Sequence, residues 1–324
     1  MAAISETIQT FDRKGLRENL TDFIYNISPT DTPFMSNAGR KAKVTATLHE
    51  WQTDALDTAD TTNAQIQGDD ITTFASQAAT VRVGNYTQIS AKNAIVADTV
   101  EAVDKAGRKS EMAYQLAKRS KELKRDMESI FLCSQGGSAG NSSTAATLAS
   151  MLAWVKTNVD YDDTTTPGVN PSWTSGVPSA ARTDGTNFAI SEARLKNVLT
   201  LGFGNGANFS TLMVGPKNKA LVSAFDGVAT KTYYQSAKEQ SAIIGAADVY
   251  VGDFGTLAVV ANRFQRESDG WLLDFSYLNI GFLRPFRTKD LAATGDAEKR
   301  LINVEYTLQV GTELSQGLIA DLTT

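Results

Sequence analysis

The chain is poor in the side chains most used for covalent and metal chemistry: its 324 residues include one cysteine, Cys133, and one histidine, His49. A lone cysteine excludes an intrachain disulfide and a cysteine-based zinc cluster. A lone histidine obliges any Ser-His-Asp or Cys-His mechanism to use His49, and nothing near it in sequence supplies the partners. No HExxH, P-loop or paired CxxC pattern occurs. No apolar run reaches the ~18–20 residues that span a bilayer. The opening stretch, Met1 to Phe11, lacks the basic and apolar regions of a signal peptide, so a chain made inside a cell, without a membrane partner, is expected. Cationic excess is missing too. The formal net charge of -5 argues against holding nucleic acid through a broad basic surface, so any such contact should be loose.

What is present suits a folded, mixed structure. Hydrophobic residues make up 42% and charged residues 21%, an ordinary globular composition. Single cores stop growing near ~250–300 residues, so two lobes are expected. In residues 1–43, short helical hints alternate with breakers, and Ser28-Pro29-Thr30-Asp31-Thr32-Pro33 cannot continue a helix. The stretch reads as an arm with too little core of its own, so Phe34 and Met35 should pack on something else. Its basic residues Arg13, Lys14, Arg17, Arg40, Lys41 and Lys43 read either as a solvated face or as an inward-facing contact.

Residues 44–51 and 80–89 suit the two legs of a hairpin, with Val81, Val83 and Ile89 on one side and Arg82, Tyr86 and Gln88 on the other. Between them, residues 54–78 are rich in Thr, Ala, Asp and Gln. A connection of that length is usually functional, and a two-stranded ribbon is marginal alone, so this one is expected to lie on a partner. Asp54, Asp57 and Asp60 lack the glycine and ordered spacing of a hard-cation loop and read as solvated. Asp98-Thr99-Val100-Glu101 resembles a capping box with Asp98 at the cap, opening a short helix that Gly107 weakens.

Met112, Leu116, Leu123, Met127 and Ile130 recur at helical spacing and predict a long amphipathic helix over 108–133. Lys118 with Glu122 and Lys124 with Glu128 read as surface pairs, and Arg119, inside the apolar stripe, as a snorkelling side chain in preference to a specific ion pair. Cys133 at the end of this helix reads as a buried, inert thiol.

A Gly/Ser loop at 134–143, a second helix at 144–157 and a polar loop at 160–184 lead to a lobe boundary. Beyond it, Ser191 and Glu192 open a helix; Gly202, Gly204 and Gly206 stop it, having the wrong context for a dinucleotide fingerprint. Residues 209–214 read as a buried strand, 216–225 as a helix with proline in its first turn, 249–251 and 256–261 as a hairpin, and 271–283 as further strand. Strict alternation of Ile302, Val304, Tyr306, Leu308 and Val310 with polar residues predicts a strand with one buried and one wet face. Without a regular βαβ repeat, the mixture reads as α+β. Arm, ribbon and long mixed-charge helix are extended elements that one compact lobe cannot fully support, which points to assembly and away from catalysis.

Four segments carry a resemblance: Asn26-Ile27-Ser28-Pro29-Thr30-Asp31-Thr32-Pro33-Phe34, His49-Glu50-Trp51-Gln52-Thr53-Asp54, Arg82-Val83-Gly84-Asn85-Tyr86-Thr87-Gln88-Ile89 and Met213-Val214-Gly215-Pro216. In this order the chain resembles the major capsid proteins of tailed phages related to the elongated-head coliphage, built on the Hong Kong ninety-seven fold. The resemblance implies an arm (1–43), an extended loop (44–91), a peripheral domain with a spine helix and a glycine-rich loop (92–186), an axial domain (187–285) and a return strand to the peripheral domain (286–324). It also implies pentamers and hexamers that tile an icosahedral or prolate head around double-stranded DNA, a virion location after assembly in the bacterial host cytoplasm, and portal, scaffolding and decoration proteins as partners.

An encapsulin-like nanocompartment shell shares the fold and is the alternative. Chain-mail shells of this fold use a lysine on the extended loop, and residues 44–91 contain none. No catalytic residue, cofactor or metal is expected. The subunit-contact candidates are Phe34, Trp51, Arg82 and Arg119, with Arg82 either pairing with an acidic group across an interface or solvated.

Overall fold

A computed structural model describes residues 29–40, 42–68, 79–104, 109–161, 166–225 and 248–323. The basic residues Arg13, Lys14, Arg17 and Lys41, the helix breaker Gly107 and loop residues 69–78 lie outside the described residues.

A short helix, α1 (Pro33–Asn37), has its proline in the first turn, where a missing N–H is no loss. Strands β1 (Leu48–Thr53) and β2 (Val81–Tyr86) form an antiparallel sheet of two, Trp51 facing Val83 across the ladder. Strand β3 (Gln88–Ala97) follows, then α2 (Asp98–Ala102), whose cap position is taken by Ala97 with no side-chain cap. The expected capping box therefore does not form. Asp98 sits one residue inside, and the Glu101 carboxylate turns outward to accept the backbone N–H of Glu111.

The long helix α3 (Glu111–Leu132) starts at Ser110, whose hydroxyl caps the Ala113 N–H, and reaches about 33 Å at ~1.5 Å per residue. Its buried apolar stripe is Met112, Leu123, Met127, Phe131 and Leu132, with Leu116 and Ile130 only partly covered.

The expected helix over 144–157 shrinks to one turn, α4 (Met151–Trp154). Residues 148–155 are all buried, so this run carries no wet face and reads as core, not as an amphipathic surface. Strand β4 (Val159–Asp160) and the hairpin β5 (Ser172–Thr174) and β6 (Val177–Ala180) occupy the expected polar loop. Helix α5 (Glu192–Gly204) is capped by Ser191, as the sequence indicates, and closed by Gly206 at φ +81°, whereas Gly202 and Gly204, expected beyond the helix, lie in its last turn. Strand β7 (Thr211–Val214), helix α6 (Pro216–Val222), the hairpin β8 (Val249–Gly252) and β9 (Gly255–Ala261), and strand β10 (Gly270–Leu273) follow. Two long strands, β11 (Leu278–Asp290) and β12 (Ala297–Val310), and a final strand β13 (Gly317–Ile319) complete the fold.

The six-stranded sheet runs β4-β13-β10-β7-β9-β8, and the three-stranded sheet β11-β12-β3. The six-stranded sheet draws strands from both sides of residue 187 and from beyond 286, so the expected domain limits do not coincide with sheet limits. Two large cores result. One gathers Phe34, Phe131, Trp154, Trp271 and Tyr306, and the other Leu195, Val198, Leu212 and Ile319.

Strand β12 departs from the expected alternation, because Glu305 and Thr307 are buried as well as Val304, Tyr306 and Leu308. It is the centre strand of its sheet, and β2 lies over its second face. There the Thr307 hydroxyl donates to the Tyr86 carbonyl, while Glu305 accepts from the Thr87 hydroxyl and pairs with Arg284. Hydrogen bonding makes the burial of these polar groups tolerable. The last residues are held by a buried ion pair, Arg182 to Asp321 at 2.6 Å, with Asp321 also accepting from the Gly185 N–H.

Candidate assembly interface

The root of the hairpin is bound tightly to its own subunit. Asn85, fully buried on β2, donates to the carbonyls of Ala149 at 3.0 Å and Leu308 at 2.8 Å and accepts from the Ala149 N–H at 2.7 Å. The Gly84 N–H donates to the Gly176 carbonyl. Gly176 has φ +82°, and a side chain there would collide with the Arg82 carbonyl, so this close crossing requires glycine.

Trp51, half-buried, stacks on Trp154 at 5.3 Å and donates its indole N–H to the Gly311 carbonyl; Trp173 meets the other side of Trp154 edge-on at 5.2 Å. Above this root the ribbon is bare. Every described residue from 54 to 68 is exposed, including Leu56 at 99% and Ile66 at 79%. The aspartates Asp54, Asp57 and Asp60 are among them, and Asp60 accepts from the Thr62 N–H and hydroxyl.

The arm is fastened by a residue that sequence periodicity misassigned. Glu128 is fully buried and does not form a surface pair with Lys124. Its two carboxylate oxygens accept the backbone N–H groups of Phe34 at 2.8 Å and Met35 at 2.9 Å, at the opening of α1, and the Asn262 amide donates to it at 2.7 Å. Charge-assisted bonds of this kind are about twice as strong as neutral ones. Burial pushes the Glu128 carboxyl above its ordinary range, with the three donors pulling the other way. The signal in the sequence is a charged side chain next to Met127 on the apolar face of the helix, although its spacing from Lys124 suggests a solvent pair.

The four contact candidates sit in different settings. Phe34 is fully enclosed, against Phe131 at 5.8 Å and Phe275 at 6.0 Å, so the arm packs on its own chain at this point. The Trp51 ring is likewise applied to its own subunit. Arg82, its side chain 73% exposed, pairs with Glu50 on the facing strand at 3.1 Å. Arg119 forms an ion pair with Glu122 at 2.7 Å, contrary to the snorkelling expectation, because three residues along a helix place the two heads side by side. Trp51 and Arg82 lie one register step apart on the β1–β2 ladder, while Phe34 and Arg119 sit elsewhere, on α1 and α3.

His49 is half-buried beside Trp51, its rings 5.6 Å apart, and burial holds its pKa below the ordinary value. Cys133 is half-buried, donates to the Ile130 carbonyl, and burial raises its thiol pKa. Among the described residues no group of acidic, histidine and cysteine side chains is arranged to hold a metal. No helix among them is long and apolar enough to cross a membrane.

Comparison with known proteins agrees with this fold. The major capsid protein of Escherichia phage Phieco32 is 38% identical over 126 residues, which is 39% of this chain and 35% of that protein. The matching region thus spans about a third of that relative. The cyanophage A-1(L) capsid asymmetric unit superposes with a TM-score of 0.65 at 14% identity, over 98% of this chain and 99% of that one. Gordonia phage Cozz gives 0.58 at 11% identity, over 99% and 97%. The SrpI encapsulin complex of Synechococcus elongatus gives 0.55 at 10% identity, over 94% and 92%. At such identities the superpositions establish the fold, which is shared by phage capsids and an encapsulin. A family model described as SU10 major capsid protein matches residues 4–323, and the chain belongs to that family.

Proposed function

We propose that the chain is the shell subunit of a tailed-phage head, closing as pentamers and hexamers into an icosahedral or prolate shell around double-stranded DNA. The observation that carries this reading is the hairpin: a two-stranded ribbon anchored by Asn85 and Trp51 to its own body, beyond which the described residues 54–68 are all exposed. A two-stranded ribbon is marginal alone and is stabilised by a partner surface. Symmetric closure by copies of one chain is the commonest route to a large assembly. Arg82, the most exposed of the contact candidates, presents a guanidinium that a neighbour's carboxylate can share with Glu50. Portal, scaffolding and decoration proteins are further partners, DNA contact is loose at net charge -5, and the shell forms in the bacterial host cytoplasm before residing in the virion.

The encapsulin superposition supports a second reading, a nanocompartment shell with protein cargo. Expression with a scaffolding protein, followed by electron microscopy and measurement of nucleic acid in purified particles, separates them. A phage head subunit gives closed shells that fill with DNA when a portal and packaging motor are supplied. Shells that retain a protein cargo and never take up DNA favour the nanocompartment.

A further inference from the structure

Acidic and guanidinium groups gather where the polar loop ahead of α5, the turn ahead of β10 and the residues after β13 converge. Arg182 and Asp184 come from the loop, Arg266 and Asp269 from the turn, and Asp321 from the end of the chain. Asp321 takes the Arg182 guanidinium and the Gly185 N–H, and Arg182 is further occupied by the Asn170 side chain and the Tyr161 ring. Arg266 is then left to serve two acids.

Its Nη2 holds Asp184, whose side chain is 43% exposed, and its Nη1 turns toward Asp269 without reaching it. Nη1 of Arg266 and Oδ2 of Asp269 stand 3.8 Å apart, both buried, and among the described residues neither has a hydrogen-bond partner. The other Asp269 oxygen accepts only the hydroxyl of its neighbour Ser268. Two unmatched buried polar atoms facing each other are costly as they stand, and a movement of about 1 Å would join them. Which acid holds Arg266 depends on charge. A protonated Asp269 has little pull on a guanidinium, whereas an ionised one, fully buried, attracts it more strongly than the half-exposed Asp184 can.

We propose that Arg266 is a two-position switch thrown by a proton on Asp269: it ties Asp184 while Asp269 is protonated, and moves to Asp269 when that proton leaves. The second position frees the Asp184 carboxylate to solvent and loosens the loop around it. Burial pushes the Asp269 carboxyl up to about 7, with Arg266 opposing and Asp184 and Asp321 adding to the shift, so the exchange falls near neutral pH. The loop is tight below that pH and loose above it. Its backbone bonds, from the Thr183 N–H to the Val169 carbonyl and from the Thr186 N–H to the Thr166 carbonyl, report the difference.

Hydrogen exchange read by mass spectrometry on the unassembled chain, at pH 6 and pH 8 and corrected for intrinsic rate, tests the switch. Protection of residues 183–188 in the parent should fall at least threefold from the lower pH to the higher. Asp269→Asn, which cannot ionise, should stay protected at both. It keeps His49, the only histidine of the chain, so a flat response there assigns the proton to Asp269. Asp184→Asn, which leaves Arg266 no charged outer partner, should be loose at both pH values. Equal protection of the parent at the two pH values overturns the switch, as does a loss that persists in Asp269→Asn or a loop that stays protected at pH 6 in Asp184→Asn. Circular dichroism checks that each variant folds. Where one does not, the parent decides alone: a fall confined to residues 183–188 upholds the switch, and constant protection overturns it.

Discussion

Two buried carboxylates set the behaviour of individual residues. Glu128 joins α3 to the arm through two backbone N–H groups, and an amide in its place offers one acceptor and turns an NH2 toward a donor. Leaving a buried donor unmatched costs about 1–3 kcal/mol. Glu128→Gln should lower the melting temperature by that equivalent and expose the chain before residue 40 to limited proteolysis while the rest of the body resists; an arm cleaved no faster than in the parent would show that Phe34 packing alone holds it.

Asp269 is fully buried; among the described residues only the Ser268 hydroxyl donates to it, and the Arg266 guanidinium lies 3.8 Å away. Arg182 is paired with Asp321 and Arg266 with Asp184, so Asp269 is the third carboxylate among two cations. Burial pushes its carboxyl from 3.8 up to about 7, Arg266 opposing and Asp184 adding to the shift. Because the folded state holds this proton when the unfolded chain has released it, stability falls as pH rises from about 4 to about 7 and is level above that. In Asp269→Asn this part of the slope should vanish, so across pH 4 to 8 the variant should gain melting temperature relative to the parent as pH rises. Parallel curves would mean that Asp269 stays ionised throughout.

Among the elements, the hairpin divides into a root packed on its own subunit and a described stretch, residues 54–68, that is wholly exposed. Deleting residues 54–78 removes no described buried side chain, and loop-closure entropy changes slowly with length. The deletion should therefore melt close to the parent and form no shells, as checked by calorimetry and microscopy. Trp51→Ala should act differently. It removes a ring stacked on Trp154 and is expected to destabilise the subunit by about 2–4 kcal/mol, below the ~3–5 kcal/mol of a fully buried aromatic because the ring is half-exposed.

The elements that sequence shows best are those whose periodicity is set by one solvent boundary, such as α3, α5 and the β8 to β9 hairpin. Residues 144–157 mislead because a fully buried run has no wet face to set its period. Strand β12 misleads in the opposite sense: its polar positions look solvated until β2 is known to cover them. Glu128 and Asn85 are invisible to spacing because their partners lie 93 and 64 residues away in the chain. Their roles arise only when the arm and hairpin close on the body.

For the whole molecule, the proposed function requires one subunit with two cores and an exposed ribbon to be completed by other copies of the chain. Cross-linking is not required for that closure. With no lysine between residues 44 and 91, particles boiled in detergent should migrate as a single band near 34.8 kDa, and a ladder of multimers would contradict the expectation.

The central question is whether the chain builds shells through its ribbon. The measurement is electron microscopy of particles formed by the parent and by the chain lacking residues 54–78, each expressed with a scaffolding protein. Closed shells with five-fold and six-fold rings from the parent, and folded but unassembled subunits from the deletion, are the predicted result. Normal shells from the deletion, or a parent that stays monomeric throughout, would contradict it.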